Sequence, residues 1–321
     1  MKINKMLNNY KNILNDNTFV YIDIGSRDGM SPEWDQVKSL VQVVMFEPDE
    51  FEAKRLQKNM KNNEIVIPKG IWSYNGKVKF HSNRNPSYSS VLKPNREILE
   101  GTFYYCRNFY ELKEIIEIEV KLLESILSDY GINRYDFLKI DIQGAEHHIF
   151  DTLSNWESII GIHTEAYGAK LYLEGSDISN TLKKIYDENF ELYDISVIAD
   201  APIVEINNKN VFSKELLNAR PRSGYRSRPI VYDLLLFKNN TKILNTNNII
   251  LIRKMIFVLC VYKFFDYALN LTLKSFEKNF FSLEEKDLIV DSIKILHKQS
   301  LSKFQRLKET IKAPSYQLRK R

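Results

Sequence analysis

The chain has 321 residues, of which 44% are hydrophobic, and its formal net charge is +5. These values are typical of a globular protein with one large core, and so small a charge excess argues against a dedicated nucleic-acid-binding protein. The two cysteines, Cys106 and Cys260, have no CxxC partner, which argues against a disulfide scaffold or a thiolate metal site and favours a cytoplasmic location.

The predicted elements begin with a polar helix over residues 1–16, which lacks the apolar run of a signal peptide. Apolar runs at 18–24 and 41–46 are separated by a loop and a short helical stretch. Helical spacing follows at 49–59, and strand character returns at 64–71. This alternation of strand and helix predicts a parallel α/β sheet.

The alternation continues as far as residue 237. Further strands are predicted at 77–81, 115–121, 136–142, 159–165, 190–196 and 230–237, and further helices at 122–129, from Ala145 onward, and at 179–188. The last two strands are expected to pair antiparallel. Residues 86–94 are rich in Ser and Pro, which predicts a loop.

A polar linker at 239–248 separates this region from a helical pattern over 249–312, which indicates two to four packed helices. Its most apolar stretch, 249–273, is interrupted by four charged residues: Arg253, Lys254, Lys263 and Asp266. We therefore predict a buried helix there and no membrane span.

Three regions follow from these boundaries: an N-terminal helix over 1–16, a main domain over 17–240 and a C-terminal helical region over 241–321. The C-terminal helices offer a surface through which copies of the chain can form a homo-oligomer.

Acidic and glycine residues follow the first two predicted strands, where open α/β sheets bind their ligands. Asp23, Gly25 and Gly29 follow the first strand, and their spacing differs from the GxGxxG of dinucleotide sites. Glu47 closes the second strand, where its carboxylate can accept hydrogen bonds from both hydroxyls of a ribose. The pattern predicts a nucleoside ligand without a pyrophosphate.

Eight motifs between residues 18 and 238 resemble, in order, those of the FkbM family of S-adenosylmethionine methyltransferases. They are YIDIGSRDGMS (21–31), FEP (46–48), WSYNGKVKF (72–80), SSVL (89–92), DFLKIDIQGAE (136–146), TEAYGAKLYLEG (164–175), FELYDI (190–195) and DLLLFK (233–238). Two dipeptides depart from the family pattern. Ser26-Arg27 stands where the family more often has Ala-Asn, and Ile142-Gln143 where it more often has Val-Glu.

The resemblance implies a Rossmann-like, class I methyltransferase fold: a mostly parallel seven-stranded sheet with helices on both faces and a C-terminal helical appendage. It implies S-adenosylmethionine as cofactor, with Asp23 and Gly25 shaping the pocket for its methionine part and Glu47 holding the ribose. It also implies O-methylation of a sugar, nucleotide-sugar or glycan hydroxyl, in the setting of surface polysaccharide biosynthesis.

Three further residues near these strand ends are candidates for cofactor binding: Ser26, Trp72 and Ser73. Trp72 follows the third strand and can stack on adenine, although a large aromatic side chain in that position more often packs in the core.

Asp141 and Glu165 end neighbouring predicted strands. Two adjacent carboxylates can raise one another's pKa and leave one as a base that removes an acceptor's hydroxyl proton. Asp141 would then also lie near the cofactor. Alternatively, the pair binds a divalent cation such as magnesium, or Asp141 merely caps a helix. His163 shares a strand face with Glu165 and is a second candidate base, although it can equally be a packed core residue.

Residues 220–228 contain four arginines in nine positions, between the last two predicted strands. Arginine forks bind phosphate and carboxylate well, so Arg222 and Arg226, with Tyr167, are candidates for binding an anionic acceptor. A solvated basic loop is an equal alternative.

The competing function is a non-catalytic module that binds S-adenosylmethionine and uses its helical tail for protein contacts. The acidic residues Asp141 and Glu165 argue against it, because such a module need not keep them. Methylation of nucleic acid is not expected, since the chain lacks a strongly basic face and an Asn/Asp-Pro-Pro-Tyr-type motif.

Overall fold

The computed structural model describes residues 2–27, 29–102, 107–201 and 228–301. They divide into two compact units. The larger unit contains the described residues of 19–30 and 41–242, and the smaller unit those of 1–18, 31–40 and 243–321.

The described residues form ten strands and ten α-helices. The strands are β1 Phe19–Ile24, β2 Val41–Phe46, β3 Glu64–Ile67, β4 Gly70–Ile71, β5 Gly76–Asn83, β6 Leu112–Lys121, β7 Phe137–Ile140, β8 Gly161–Tyr167, β9 Phe190–Ala201 and β10 Arg228–Lys238. The helices are α1 Lys2–Leu14, α2 Glu50–Asn59, α3 Arg96–Thr102, α4 Leu123–Asp129, α5 Glu146–Phe150, α6 Ile178–Asp187, α7 Asn240–Asn245, α8 Ile249–Val261, α9 Phe265–Glu277 and α10 Leu283–Ser300.

Seven strands of the larger unit form one sheet in the order β3-β2-β1-β7-β8-β10-β9. The pairs are parallel except those of β10, which runs antiparallel to both β8 and β9. All six residues of β1 are buried, as expected of a central strand covered on both faces. The structure confirms the predicted mostly parallel seven-stranded sheet and its antiparallel last pair.

A second sheet of three strands, in the order β4-β6-β5, lies in the same unit. We predicted a single strand over 64–71, and this prediction was wrong. The chain instead pairs with β2 as far as Ile67 and joins β6 from Gly70. Pro68 lies between them, and proline has no N–H to donate to a sheet ladder, so the strand ends there.

In the smaller unit α1 packs against α8 and α10, and α9 packs against both of those helices. Arg253 on α8 is only 4% exposed. Its guanidinium donates to the carbonyl oxygen of Ile13 at 3.2 Å and pairs with Glu285 at 2.5 Å, so a buried cation caps the last turn of α1. We predicted the N-terminal helix and the C-terminal helices as separate regions, whereas their contacts place them in one unit.

The apolar stretch 249–273 is divided in the structure. Helix α8 ends at Val261, and Lys263 has a φ of +66°, so a turn separates α8 from α9. Within the described part of the chain, no helix combines the length and apolar character needed to cross a membrane.

Candidate active site

A cavity of about 850 Å³, counting its open mouth, lies at the carboxyl ends of β1, β2 and β7. Its polar lining comes mainly from these strand ends and the turns after them: Gly25, Arg27, Glu47, Lys139, Asp141 and Gln143. The second sheet and the loop after β5 supply an apolar wall: Ile71, Phe80, Val91, Ile118 and Val120. A concave site with an apolar wall and a few polar groups converging at one end is typical of a small-molecule site.

The turn after β1 requires glycine. Gly25 has a φ of +84°, and a Cβ built on it would lie 1.9 Å from the carbonyl oxygen of Asp141. The two strand ends are tied together by a hydrogen bond from Asp141 N to Ile24 O at 3.0 Å. Any side chain at position 25 would therefore push apart the two strands that form the floor of the cavity.

Glu47 lies at the end of β2, where it lines the cavity although only 4% of it is exposed. One carboxylate oxygen, Oε1, accepts a hydrogen bond from the backbone N–H of Asp49 at 2.9 Å. Burial raises the pKa of this carboxyl group to about 7, because a charged carboxylate loses hydration there. The group thus combines access to the cavity with a pKa near neutrality.

The fixed charges of the cavity favour a cationic ligand. Three cations line it, and each forms an ion pair: Arg27 with Asp49, Lys69 with Glu119, and Lys139 with Asp23. Glu47 and Asp141 form no ion pair with any residue that the structure describes. These two lining carboxylates can therefore attract a positive group such as a sulfonium.

Asp23 and Ser26 are close to the cavity but do not line it. Asp23 is fully buried and accepts a hydrogen bond from Lys139 Nζ at 3.1 Å. The Ser26 hydroxyl donates to the carbonyl oxygen of Asp23 at 2.7 Å. The Ser26 side chain thus stabilises the turn, and the Asp23 side chain holds Lys139. Direct contact of either side chain with a cofactor stays a prediction.

Trp72 and Ser73 also lie outside the cavity lining. The Trp72 ring packs on His148, with 4.6 Å between the ring centroids, and belongs to a buried cluster with Leu92 and Ala145. Trp72 thus packs in the core, which is the more common position for a large aromatic side chain. Its stacking on adenine stays a prediction.

Asp141 lines the cavity directly after β7, whereas Glu165 on β8 lies behind it. The side-chain amide of Gln143 joins them, because its Nε2 lies 3.0 Å from Asp141 Oδ1 and 3.0 Å from Glu165 Oε2. The Tyr167 hydroxyl donates to the same Glu165 oxygen at 2.7 Å. Burial, together with the negative charge of Asp141, raises the pKa of Glu165 well above its usual value.

His163 is not part of the cavity. Its Nε2 lies 2.6 Å from Asp233 Oδ1 on β10. Nor do the described residues include any group of three or more His, Cys, Asp and Glu side chains placed to hold a metal ion. The magnesium alternative for Asp141 and Glu165 therefore gains no support from the arrangement of the side chains.

Of the candidates for acceptor binding, Tyr167 is 2% exposed and contacts Glu165 rather than the cavity. Arg222 and Arg226 lie outside the described residues.

Six polar residues of the cavity lining were not among the predicted site residues: Arg27, Lys69, Ser87, Ser89, Lys139 and Gln143. Lys139 sits in mid-strand two residues before Asp141, and period-two alternation places it on the same face. That signal was available in the sequence. No local pattern could have revealed the Gln143 contact with Glu165, which joins residues 22 positions apart.

Glu146 stabilises the turn that carries Gln143. It is 3% exposed, and its Oε1 accepts hydrogen bonds from the backbone N–H groups of Ile142 and Gly144, at 3.1 and 3.2 Å. Burial raises the pKa of Glu146 from 4.5 to about 7. Between these two values the folded state binds more protons than the unfolded state, so this group makes the protein less stable as pH rises through that window.

Glu146→Gln is therefore expected to preserve both hydrogen bonds through the amide oxygen while removing the buried charge. Relative to wild type, the variant should gain about 2 kcal/mol of stability between pH 5 and pH 8. Glu146→Ala should lose about 2 kcal/mol at pH 5 because it leaves two buried N–H groups unpaired. Denaturant unfolding at both pH values measures these differences. Equal pH dependence in wild type and Glu146→Gln would contradict the buried-charge assignment.

Together, the sheet order, the glycine turn after β1 and the acidic end of β2 define a class I methyltransferase domain. Residues 23–192 match the model of the methyltransferase FkbM domain. The chain belongs to the FkbM methyltransferase family.

A curated relative is the 2-O-methyltransferase NoeI of Sinorhizobium fredii (strain NBRC 101917 / NGR234), which is 25% identical over 167 residues. The match covers 48% of this chain and 65% of NoeI, so it spans just under two thirds of that protein.

Two solved structures are similar to the chain at a coarse level. A candidate RNA methyltransferase, PH1948 from Pyrococcus horikoshii, gives a TM-score of 0.31 at 10% identity, covering 74% of this chain and 83% of that one. A candidate methyltransferase from Thermoplasma acidophilum gives a TM-score of 0.28 at 12% identity, and the match covers 69% of this chain and 68% of that one. Because both TM-scores are low, the fold class rests on the strand order and the family.

Proposed function

We propose that this protein transfers a methyl group from S-adenosylmethionine to a hydroxyl group of a sugar, nucleotide-sugar or glycan, within surface polysaccharide biosynthesis in the cytoplasm. The observation that carries the proposal is that Glu47 and Asp141 line one cavity as carboxylates without an ion-pair partner among the described residues. We assign Glu47 to the ribose and Asp141 to the reacting groups.

The residues of the cavity fit the cofactor. When bound, S-adenosylmethionine supplies a methyl group activated by a positively charged sulfur. Gly25 leaves room for the cofactor to approach the backbone at the end of β1. Glu47 would accept hydrogen bonds from the ribose hydroxyls. The apolar wall that includes Ile71 and Val120 suits a flat adenine ring. Glu47 and Asp141, the two lining carboxylates that form no ion pair among the described residues, favour the sulfonium over a neutral ligand.

Asp141 is the proposed base. In the overall reaction the acceptor oxygen gains the methyl group, the carbon–sulfur bond breaks and the hydroxyl proton is released. The Asp141 carboxylate lines the cavity, and accepting that proton makes the oxygen more nucleophilic as the new bond forms. Orienting the two reactants in one cavity supplies a large part of the rate. His163 is the weaker candidate because its Nε2 is engaged by Asp233.

Oxygen is the proposed methyl acceptor because NoeI is a 2-O-methyltransferase by name. A negatively charged acceptor is a further prediction. It rests on Arg222 and Arg226, between β9 and β10, and so on a segment outside the described residues.

The test has two stages. Isothermal titration with S-adenosylhomocysteine should show one site on wild type and much weaker binding to Glu47→Ala. Incubation of the full chain with S-adenosylmethionine carrying a deuterated methyl group and a panel of nucleotide-sugars should then give a labelled product in the mass spectrum. Absence of cofactor binding would refute the proposal. Binding without transfer to any hydroxyl compound would favour the non-catalytic module.

A further inference from the structure

The side-chain amide of Gln143, in the wall of the cavity, has a hydrogen-bond partner for its oxygen and for both of its N–H groups. Both of its N–H groups have a carboxylate acceptor at 3.0 Å, Asp141 on one side and Glu165 on the other. Its oxygen, Oε1, lies 2.9 Å from the Tyr172 hydroxyl, whose one proton is shared between this oxygen and the carbonyl oxygen of Tyr88 at 3.0 Å. Every hydrogen-bonding direction of the amide nitrogen is thus used.

These partners fix which way the amide points. With the amide reversed, its oxygen would face two carboxylate oxygens, which is repulsive, and its nitrogen would face the Tyr172 hydroxyl. The backbone is held as well. Gln143 has a φ of +58°, unusual for a residue with a side chain, and its carbonyl oxygen accepts from the Ser90 hydroxyl at 2.9 Å. A strained backbone position that is stabilised from several sides is typical of a functional site.

The amide nitrogen contacts the same two carboxylate oxygens that a bridging divalent cation would have to bind. A bound magnesium ion would need oxygen distances of about 2.1 Å to both carboxylates, whereas the two N–H groups of the amide already point at these oxygens. An uncharged amide supplies two N–H donors to the pair but adds no positive charge. It therefore orients the carboxylates and leaves the negative charge of Asp141 available to the cavity.

We propose that Gln143 is a positioning residue that holds the Asp141 carboxylate toward the acceptor in place of a divalent cation. The kinetic consequences of this proposal rest on the proposed methyl transfer. Its consequences for metal binding do not. Tyr172 contributes to the same positioning, because its hydroxyl contacts the amide oxygen of Gln143.

The first test removes the amide while keeping the backbone conformation. Gln143→Gly tolerates the positive φ and should lower kcat about 10- to 100-fold, since a displaced catalytic group costs about that much. The KM for S-adenosylmethionine should stay within about twofold. Tyr172→Phe should lower kcat in the same direction but less. The matched control is Asn189→Gly, at φ +66° between α6 and β9, which should keep the wild-type kcat.

The second test needs no acceptor. Manganese binding to the full chain is followed by electron paramagnetic resonance for wild type, for Gln143→Glu and for the double variant Gln143→Glu/Asp141→Asn. Wild type should bind Mn²⁺ only weakly. Gln143→Glu places three carboxylates together and should bind at least about tenfold more tightly, and the double variant should lose that gain. Where turnover is measurable, a chelator should leave wild type unaffected and inhibit Gln143→Glu.

The outcomes separate this proposal from the proposed function. Stoichiometric Mn²⁺ binding by wild type would overturn the positioning role, and so would a Gln143→Glu variant without any gain in Mn²⁺ affinity. A wild-type kcat in Gln143→Gly would overturn it as well. If no acceptor is methylated at all, the proposed function fails, while the manganese measurements still decide whether the amide occupies the position of a cation.

Discussion

Asp141→Asn is expected to lower turnover about 100- to 10,000-fold, the range that a general base contributes. The change retains the size of the side chain and its hydrogen bond with Gln143, but it removes the group that can take up a proton. Because we propose that the side chain acts on the acceptor rather than on the ribose, the affinity for S-adenosylhomocysteine should change less than about threefold. Single-turnover kinetics and isothermal titration on the same preparation measure the two effects.

A second variant identifies the base if this expectation fails. Asp233→Asn weakens the contact that engages His163 Nε2 at 2.6 Å but leaves the cavity lining intact. If Asp141→Asn turns over at the wild-type rate while Asp233→Asn is slow, His163 is the base and Asp141 is a structural residue. A slow Asp141→Asn with an unaffected Asp233→Asn supports the assignment proposed above.

Glu47→Ala is expected to weaken S-adenosylhomocysteine binding by about 2 kcal/mol, or about 30-fold in Kd, because it removes charge-assisted hydrogen bonds to the ribose. The same residue should make binding depend on pH. Its pKa in the free protein is about 7, and the carboxylate is the form that accepts two hydroxyls. Hydroxyl donors lower that pKa in the complex, so affinity should fall as pH drops from about 7 towards 5, and binding in that range should release a proton.

Titrations in two buffers of different ionisation enthalpy measure the proton released. Glu47→Gln is the matched control, because it keeps an acceptor oxygen but cannot titrate, and its affinity should be nearly flat between pH 5 and 8. A wild-type protein with the same flat profile, or an unchanged affinity in folded Glu47→Ala, would show that the ribose is held elsewhere.

The parts of the site that the sequence predicted lie where a strand ends. Gly25, Glu47 and Asp141 each follow a short apolar run, and the carboxyl ends of parallel strands meet at one edge of the sheet. The structure places all three in the lining of one cavity. Placement of this kind depends only on the position of a residue along its own strand, so a single sequence carries the information.

For other predicted site residues, the position along the strand does not show whether the side chain lines the cavity. Glu165 and His163 alternate correctly on β8, but whether each faces the cavity depends on side chains from other strands. Glu165 lies behind Gln143, and His163 is engaged by Asp233. The ion pair between Lys139 and Asp23 joins residues 116 positions apart, and it decides that Asp23 balances a lysine rather than facing the cavity.

The sequence by itself determined the succession along the chain of the main strands and helices, the glycine turn and the family. These follow from apolar periodicity, φ preference and motif order, which are local properties of the chain. Only the tertiary structure decided which lining carboxylates form no ion pair among the described residues and how Gln143 joins Asp141 to Glu165. It also decided that the chain changes sheets at Pro68 and that α1 packs with the C-terminal helices. The physical reason is that charge, burial and pKa depend on groups brought together from distant positions, and a local pattern does not specify those neighbours.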